Sequence, residues 1–213
     1  VWLYRWIPLE SLSIILKQSA IEHNDFFIIN NRNNRYFNFD IKYEKEHQFE
    51  GIIYHLKKNN NNLDKTIEIK ASSICCNSPT YSPQNAIEYD DLSSFFESDN
   101  LDNSWLCFDF KEIKIKLENY TIRSFDKSKN QGHLKSWVIE ASNDENKKDW
   151  KIVDKHENCD LFQGQNFVHT FSVQNENEEE KFRYIRLRQT GPSWSGNKYL
   201  NINSIEFYGT VFF

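Results

Sequence analysis

Within one short loop and the strand end that leads into it, the chain sets a guanidinium, a hydroxyl, an indole and an amide: Arg188, Thr190, Trp194 and Asn197. An arginine offers a rigid fork of N–H donors, and an amide both donates and accepts. An indole adds a flat apolar face with one donor. These groups grip a ligand rather than cleave it. The loop, TGPSWSGNK, holds Gly191, Pro192 and Gly196, which favour a turn, and places Trp194 at its tip. Two predicted strands flank it. In FRYIRLRQ, Ile185 and Leu187 alternate with Tyr184, Arg186 and Arg188, giving one apolar and one cationic face. The second strand passes through Leu200, Ile202, Ile205 and Phe207, and its phase changes at Asn203-Ser204, which predicts a β-bulge. The two are read as a paired strand end carrying a shaped loop.

Nothing comparable points to catalysis. The chain has no GxSxG, HExxH, P-loop or GxGxxG sequence. Its six histidines, His23, His47, His55, His133, His156 and His169, are scattered, with none at metal-ligand spacing from another His or Cys. The expectation is a non-enzyme without metal or cofactor.

The elements that must position the loop are β. The 213 residues suffice for one good-sized domain plus an appendage. The 17 Phe, 10 Tyr and 6 Trp supply a core, while 6 Gly and 4 Pro argue against compositional disorder. A net charge of -5 lacks the basic footprint of a general nucleic-acid binder. No apolar run is long enough for a membrane-spanning helix. The chain opens on Val1 and contains no Met, so a fragment of a longer protein is expected. Cys75 and Cys76 are adjacent, Cys107 falls inside a predicted strand, and no pair with Cys159 brackets the domain. Reduced thiols in a cytoplasmic protein are the expectation. Asn119-Tyr120-Thr121 fits a glycosylation pattern and equally an ordinary strand start, which is preferred.

Residues 1–34 read as the tail of a preceding helical domain plus linker: Leu9, Leu12, Ile15 and Leu16 recur at helical spacing, and NNRNNR follows. Residues 35–63 read as a lead-in. Its strand is RYFNFDIKY, and its short amphipathic helix carries Phe49, Ile52, Ile53 and Leu56. From residue 64 to 213 the pattern is β. TIEIKA, SWLCFDF, YTIRSF, LKSWVIEAS, DWKIVD, FVHTFSV, FRYIRLRQ and LNINSIEFYG are separated by polar stretches. Several short strands with no long helices between them predict an antiparallel sandwich or jelly roll. Trp105, Trp137 and Trp150 are read as packing residues, with Ile139 and Ala141 sharing the face of Trp137.

In order, SWLCFDF, YTIRS, GHLKSWVIEASND with Trp150, FRYIRLRQTG and IEFYG resemble the coagulation factor 5/8 type C, or discoidin, domain. The resemblance covers about Asp64 to Phe213 and is nearest to the intracellular type associated with BTB–BACK proteins. It implies an all-β, galactose-binding-like jelly-roll sandwich of about eight antiparallel strands, here with a short N-terminal helical appendage. It further implies ligand binding by loops at one end, ordinarily without catalysis; ligands in such domains are glycans, lipid headgroups or proteins, so fold alone does not settle function. The chain lacks the end-joining disulfide of extracellular members. FESDNLDNSW keeps Asp99 and Asp102 but not the Asp-Gly turn that helps hold calcium in glycan-binding relatives. Calcium needs six to eight oxygens, and a polar loop capping its own backbone accounts for the stretch as well.

The loop-end set implied by the resemblance is Tyr81, Asn85, Arg123, His133, Lys135, Arg188, Thr190, Trp194 and Asn197. Salt bridges with Asp109, Glu140 or Glu206 are the structural alternative for Arg123 and Arg188. A protein partner gripped by Tyr81, Trp194 and Arg188 is the main expectation, and a galactose-type glycan the alternative. Phe95-Phe96 and Trp194 have the apolar character of a membrane-inserting tip. The acidic balance does not favour anionic lipid, and Phe95-Phe96 is expected to pack under the sandwich.

Overall fold

The computed structural model describes residues 38–59, 66–126, 132–144, 149–173 and 180–212. The helical reading of residues 1–27 and the linker NNRNNR lie outside them. Eleven strands form within these residues: β1 (Asn38–Ile41), β2 (Glu68–Ala71), β3 (Phe96–Glu97), β4 (Trp105–Asp109), β5 (Lys114–Arg123), β6 (Trp137–Ser142), β7 (Lys151–His156), β8 (Val168–Ser172), β9 (Tyr184–Gln189), β10 (Asn201–Ile202) and β11 (Ser204–Phe212). One α-helix, α1 (Ile52–Asn59), precedes β2. Two main sheets, in orders β1-β11-β5-β8 and β2-β4-β9-β6-β7, pack as a jelly-roll sandwich, with β10-β3 as a small separate pair. Every strand pair is antiparallel. The main sheets hold nine strands where about eight were expected, the addition being β1 from the lead-in.

Alternation builds the core. Leu106 and Phe108 of β4, Ile185 and Leu187 of β9, and Trp137 and Ile139 of β6 point inward and are fully buried. The rings of Phe108 and Phe207 meet edge to face, 5.1 Å between centroids, bridging the two sheets. The Trp137 indole N–H donates to the Tyr120 hydroxyl at 3.1 Å, and that hydroxyl donates to Asp154 at 2.6 Å. Phe96 is buried and Phe95 half-buried, in line with packing beneath the sandwich.

Two expectations for residues 181–209 are corrected. β9 and β11 do not pair: they lie in opposite sheets, and the loop between them crosses the end of the sandwich. The phase change at Asn203-Ser204 is not a bulge but the point where the chain leaves β10 for β11. Asn203 carries the transfer, its N–H donating to Arg123 O and its side-chain amide to the carbonyls of Asp91 and Ser94. The register shift on β11 falls at Tyr208/Gly209, opposite an extra residue, Glu118, in β5. Gly209 sits there at φ +141, and a Cβ would fall 2.0 Å from Lys116 O.

Trp105 and Trp150 are likewise not core residues. Both are half-buried on the outer face of the five-stranded sheet, where the Arg186 guanidinium lies 3.8 Å from the Trp150 ring and 5.8 Å from that of Trp105. Outward alternation on β9 and the β4 start puts them beside the arginine, and a cation over an indole face is favourable.

Candidate functional site

The register shows which loops share an end. Trp105 faces Arg188, Trp137 faces Gln189 and His156, and Arg123 faces Ser204 and Val168. Residues 72–104, 124–126, 132–136, 157–167 and 190–203 therefore leave from one end of the sandwich. All nine residues of the expected set belong to these loops or to the strand ends beneath them.

Hydrogen bonds weave the loops together. Trp194 donates its backbone N–H to His133 O at 3.2 Å and its indole N–H to Cys159 O at 3.1 Å. Cys159 N donates to Lys135 O at 2.8 Å, and the Lys135 ammonium lies 4.6 Å from the Trp194 ring. Trp194 is thus half-buried as a joint between three loops. Asn197 accepts the Ser193 hydroxyl through Oδ1 at 2.7 Å. Asn85 donates to Thr80 O and Phe95 O, and Tyr81 packs on Phe95 at 5.4 Å. His133 is fully buried against Phe125. Arg123 donates to Tyr89 O at 2.8 Å and Asn203 Oδ1 at 3.2 Å, with its guanidinium 4.1 Å from the Phe49 ring; burial lowers its pKa.

The ion-pair alternative holds for one of the two arginines. Arg188 donates through Nη2 to Glu140 at 2.6 Å, and through Nη1 to Asn103 Oδ1 at 2.9 Å. Arg186 reaches the other oxygen of Glu140 at 2.6 Å. Burial works against ionisation of Glu140, but the two guanidiniums outweigh it and hold the carboxyl below its usual range. Glu206 pairs differently from the expectation: fully buried, it accepts the backbone N–H groups of Ile53, Tyr54 and Phe207.

A cleft of about 470 Å³, open to solvent, lies where β6, β7 and the end of β9 meet. Ser136, Val138, Ile152, Lys155, Glu157, Asn158, Arg188, Thr190 and Gly191 line it. The expected set contributes Arg188 and Thr190; the other seven members lie outside the lining. Thr190 is exposed, its N–H anchored to Ser136 O at 3.0 Å, and Ser136 Oγ accepts Asn158 N–H at 3.0 Å. Lys155 and Glu157 form an exposed pair at 2.7 Å. Lys155 was legible as the next outward position after DWKIVD; its proximity to Arg188 depends on the order β9-β6-β7.

At the suspected calcium stretch, Asp99 accepts Cys76 N–H, Asp102 pairs with Lys198, and the Ser104 hydroxyl donates to Leu101 O. Among the described residues no group of three or more His, Cys, Asp or Glu side chains is placed to hold a metal ion. No helix among them is long and apolar enough to cross a membrane.

A two-sheet jelly roll whose long loops converge over one end, with an open polar cleft at its margin, defines a galactose-binding-like sandwich. The chain belongs to the F5/8 type C domain family, whose model matches residues 68–205. Solved structures share the fold. The CBM32-3 module from a family 31 glycoside hydrolase of Clostridium perfringens aligns at TM-score 0.52 and 17% identity, over 68% of this chain and 92% of its own. The CpGH89CBM32-5 module of Clostridium perfringens aligns at 0.50 and 12%, over 67% and 94%. Chitosan-binding module 2 of a Paenibacillus sp. IK-5 chitosanase/glucanase aligns at 0.50 and 14%, over 68% and 97%. No curated protein is detectably similar to the chain in sequence.

Proposed function

We propose that this domain is a non-catalytic recognition module that takes a glycan in the cleft beside Arg188. The lining of the cleft carries the reading. Hydroxyls of Ser136 and Thr190, the amide of Asn158 and the charges of Lys155, Glu157 and Arg188 surround an aliphatic floor of Val138 and Ile152. A sugar presents the complement, hydroxyls around an apolar ring face, and a few placed polar groups on an apolar floor are what orient a small ligand. Arg188 is held in place before any ligand arrives by Glu140 and Asn103, which lowers the ordering cost of binding. Two neighbours lend support: the CpGH89CBM32-5 module of Clostridium perfringens was solved with GalNAc-beta-1,3-galactose, and the Paenibacillus module with chitotriose.

A glycan array on the purified chain, followed by titration of Lys155→Ala and Thr190→Ala variants, tests the reading. Saturable, sugar-competed binding is expected, weakened about tenfold by Lys155→Ala, equivalent to about 1.4 kcal/mol, with an unchanged melting temperature. An array without saturable binding, or binding indifferent to both substitutions, overturns it.

A second reading, a protein partner within a cytoplasmic BTB–BACK-type adaptor, draws on one observation. Leu92, Leu101, Leu161 and Phe167, all on loops at the same end, are 41–56% exposed. Solvent-facing apolar side chains at a loop end suit a protein surface. Capture of a partner that is lost with Leu101→Ser and Phe167→Ser but kept with Lys155→Ala distinguishes it from the glycan reading.

A further inference from the structure

Adjacent side chains in an extended strand point to opposite faces, but Cys75 and Cys76 do not. They occupy a short 3-10 turn, Cys75–Asn77, in which Cys76 at φ 55 and Asn77 at φ 51 take the left-handed conformation. Non-glycine residues seldom adopt it, and such strain collects at binding sites and switches. The turn brings the two sulfurs to 3.7 Å. That is well beyond the roughly 2.05 Å of a disulfide bond, so two thiols face each other across a gap that a single bridging atom can span.

The surroundings hold this arrangement. Asn77 N–H donates to Ile74 O at 2.9 Å and Ser78 N–H to Cys75 O at 3.0 Å, closing the turn. Asp99 accepts Cys76 N–H at 3.3 Å, and Asp99 N–H donates to Ser73 Oγ at 2.9 Å, tying the turn to the loop before β4. Cys75 is buried and Cys76 exposed, so one sulfur is seated and the other meets solvent. Burial, with the Glu97 carboxylate and Cys76 beside it, pushes the Cys75 thiol up to about 12, so it keeps its proton at neutral pH.

The donor count selects the ligand. With no group of three or more metal-ligating side chains among the described residues, a four-coordinate zinc site lacks its ligands. A trivalent arsenous group that already carries one organic substituent needs two sulfurs and no more. We propose that Cys75 and Cys76 form a dithiol site for such a thiophilic trivalent group. In the hydrated arsenous acid R–As(OH)₂, two As–O bonds break and two As–S bonds form. The two thiol protons leave with the two hydroxyls as water, and no electrons are transferred. The exposed Cys76 bonds first, and Cys75 closes the ring without prior ionisation because its proton departs with the hydroxyl. This site stands on thiol geometry and is independent of the glycan reading.

Phenylarsine oxide added to the reduced full chain tests it, with intact mass and thiol titration as readouts. One arsenic per chain is expected, with two titratable thiols lost, resistance to a monothiol and reversal by 1,2-ethanedithiol. The adduct persists in a Cys107→Ser/Cys159→Ser double variant and is lost in Cys76→Ser. Peptide mapping of the wild-type adduct to residues 75–76 gives the same answer without relying on any variant's folding. Absence of the adduct, its mapping to Cys107 or Cys159, or its survival in Cys76→Ser overturns the proposal.

Discussion

Glu206 on β11 and Ile53 in the first turn of α1 are joined by a 2.9 Å hydrogen bond, the carboxylate accepting the backbone N–H across 153 residues of chain. Its second oxygen accepts Tyr54 N–H, also at 2.9 Å. The residue at the helix start is Gly51, whose carbonyl accepts His55 N–H but which has no side chain to satisfy the helix's first donors. A distant strand therefore provides the cap, and the acidic group sits where the helix dipole favours it. Burial nevertheless dominates, raising the Glu206 pKa from 4.5 to about 7 against the pull of the Phe207, Ile53 and Tyr54 N–H groups.

This predicts a pH dependence of definite sign. An acid whose folded pKa is raised stabilises the fold below its unfolded pKa, and that contribution fades as pH rises through the folded value. The native state should lose about 3 kcal/mol from this group between about pH 4.5 and 7. Burial and the nearby His156 lower the His169 pKa, which opposes the trend, so the measurement is a difference. Urea unfolding of wild type minus Glu206→Gln, followed over pH, should slope downward across this window. A flat difference would refute the assignment.

Gly51 should tolerate no side chain. A Cβ there would lie 2.4 Å from Phe207 O and 2.6 Å from Glu206 Cγ. Gly51→Ala is expected to lift α1 off β11 and cost on the order of 1–3 kcal/mol, as overpacking does. Faster amide exchange at Ile53 and Tyr54, with β6 and β9 little changed, would show that the loss is local.

Glu140 neutralises two guanidiniums while only 5% of its side chain is exposed. Glu140→Ala would leave Arg186 and Arg188 without their shared anion and should cost about 3 kcal/mol, toward the lower end for a broken buried pair. Because burial is outweighed by these arginines, its stabilising effect should be lost as pH falls through a folded pKa below 4.5. Acid unfolding of wild type and Glu140→Gln, compared below that pH, checks the sign.

Trp137→Ala should remove about 3–5 kcal/mol, as for other buried large-to-small changes, whereas Trp137→Phe keeps an aromatic ring but removes the donor to Tyr120 and part of the buried volume. The Tyr120 hydroxyl keeps Asp154 as its acceptor, so Trp137→Phe should cost less, about 1–2 kcal/mol. Chemical denaturation should place Trp137→Ala below Trp137→Phe in stability, and equal losses would refute that order.

Strand alternation was legible because it reports burial directly: Ile185 and Leu187, or Leu106 and Phe108, had one face to occupy. The lead-in helix was legible for the same reason, through Ile52, Ile53 and Leu56. What escaped were contacts that depend on long-range register. Asn203 looked like a bulge because its amide partners, the carbonyls of Asp91 and Ser94, have no sequence signature. Glu206 looked like a partner for arginine because an alternating strand does not reveal that a helix start lies across its face. At the candidate cleft, Arg188 and Thr190 were visible from the loop they border, while Ser136, Asn158 and Lys155 join them only through the order β9-β6-β7.

The place of β11 bears on how the domain is made. It lies between β1 and β5, yet among the described strands it is the last to leave the ribosome. Until it emerges, β1 and β5 present open edges to each other's missing neighbour, and α1 lacks the carboxylate that caps it. Synthesis from the N-terminus thus defers closure of this sheet to its final strand. Chaperone dependence and sensitivity to truncation should concentrate there, because unpaired edges held open during translation are where aggregation starts.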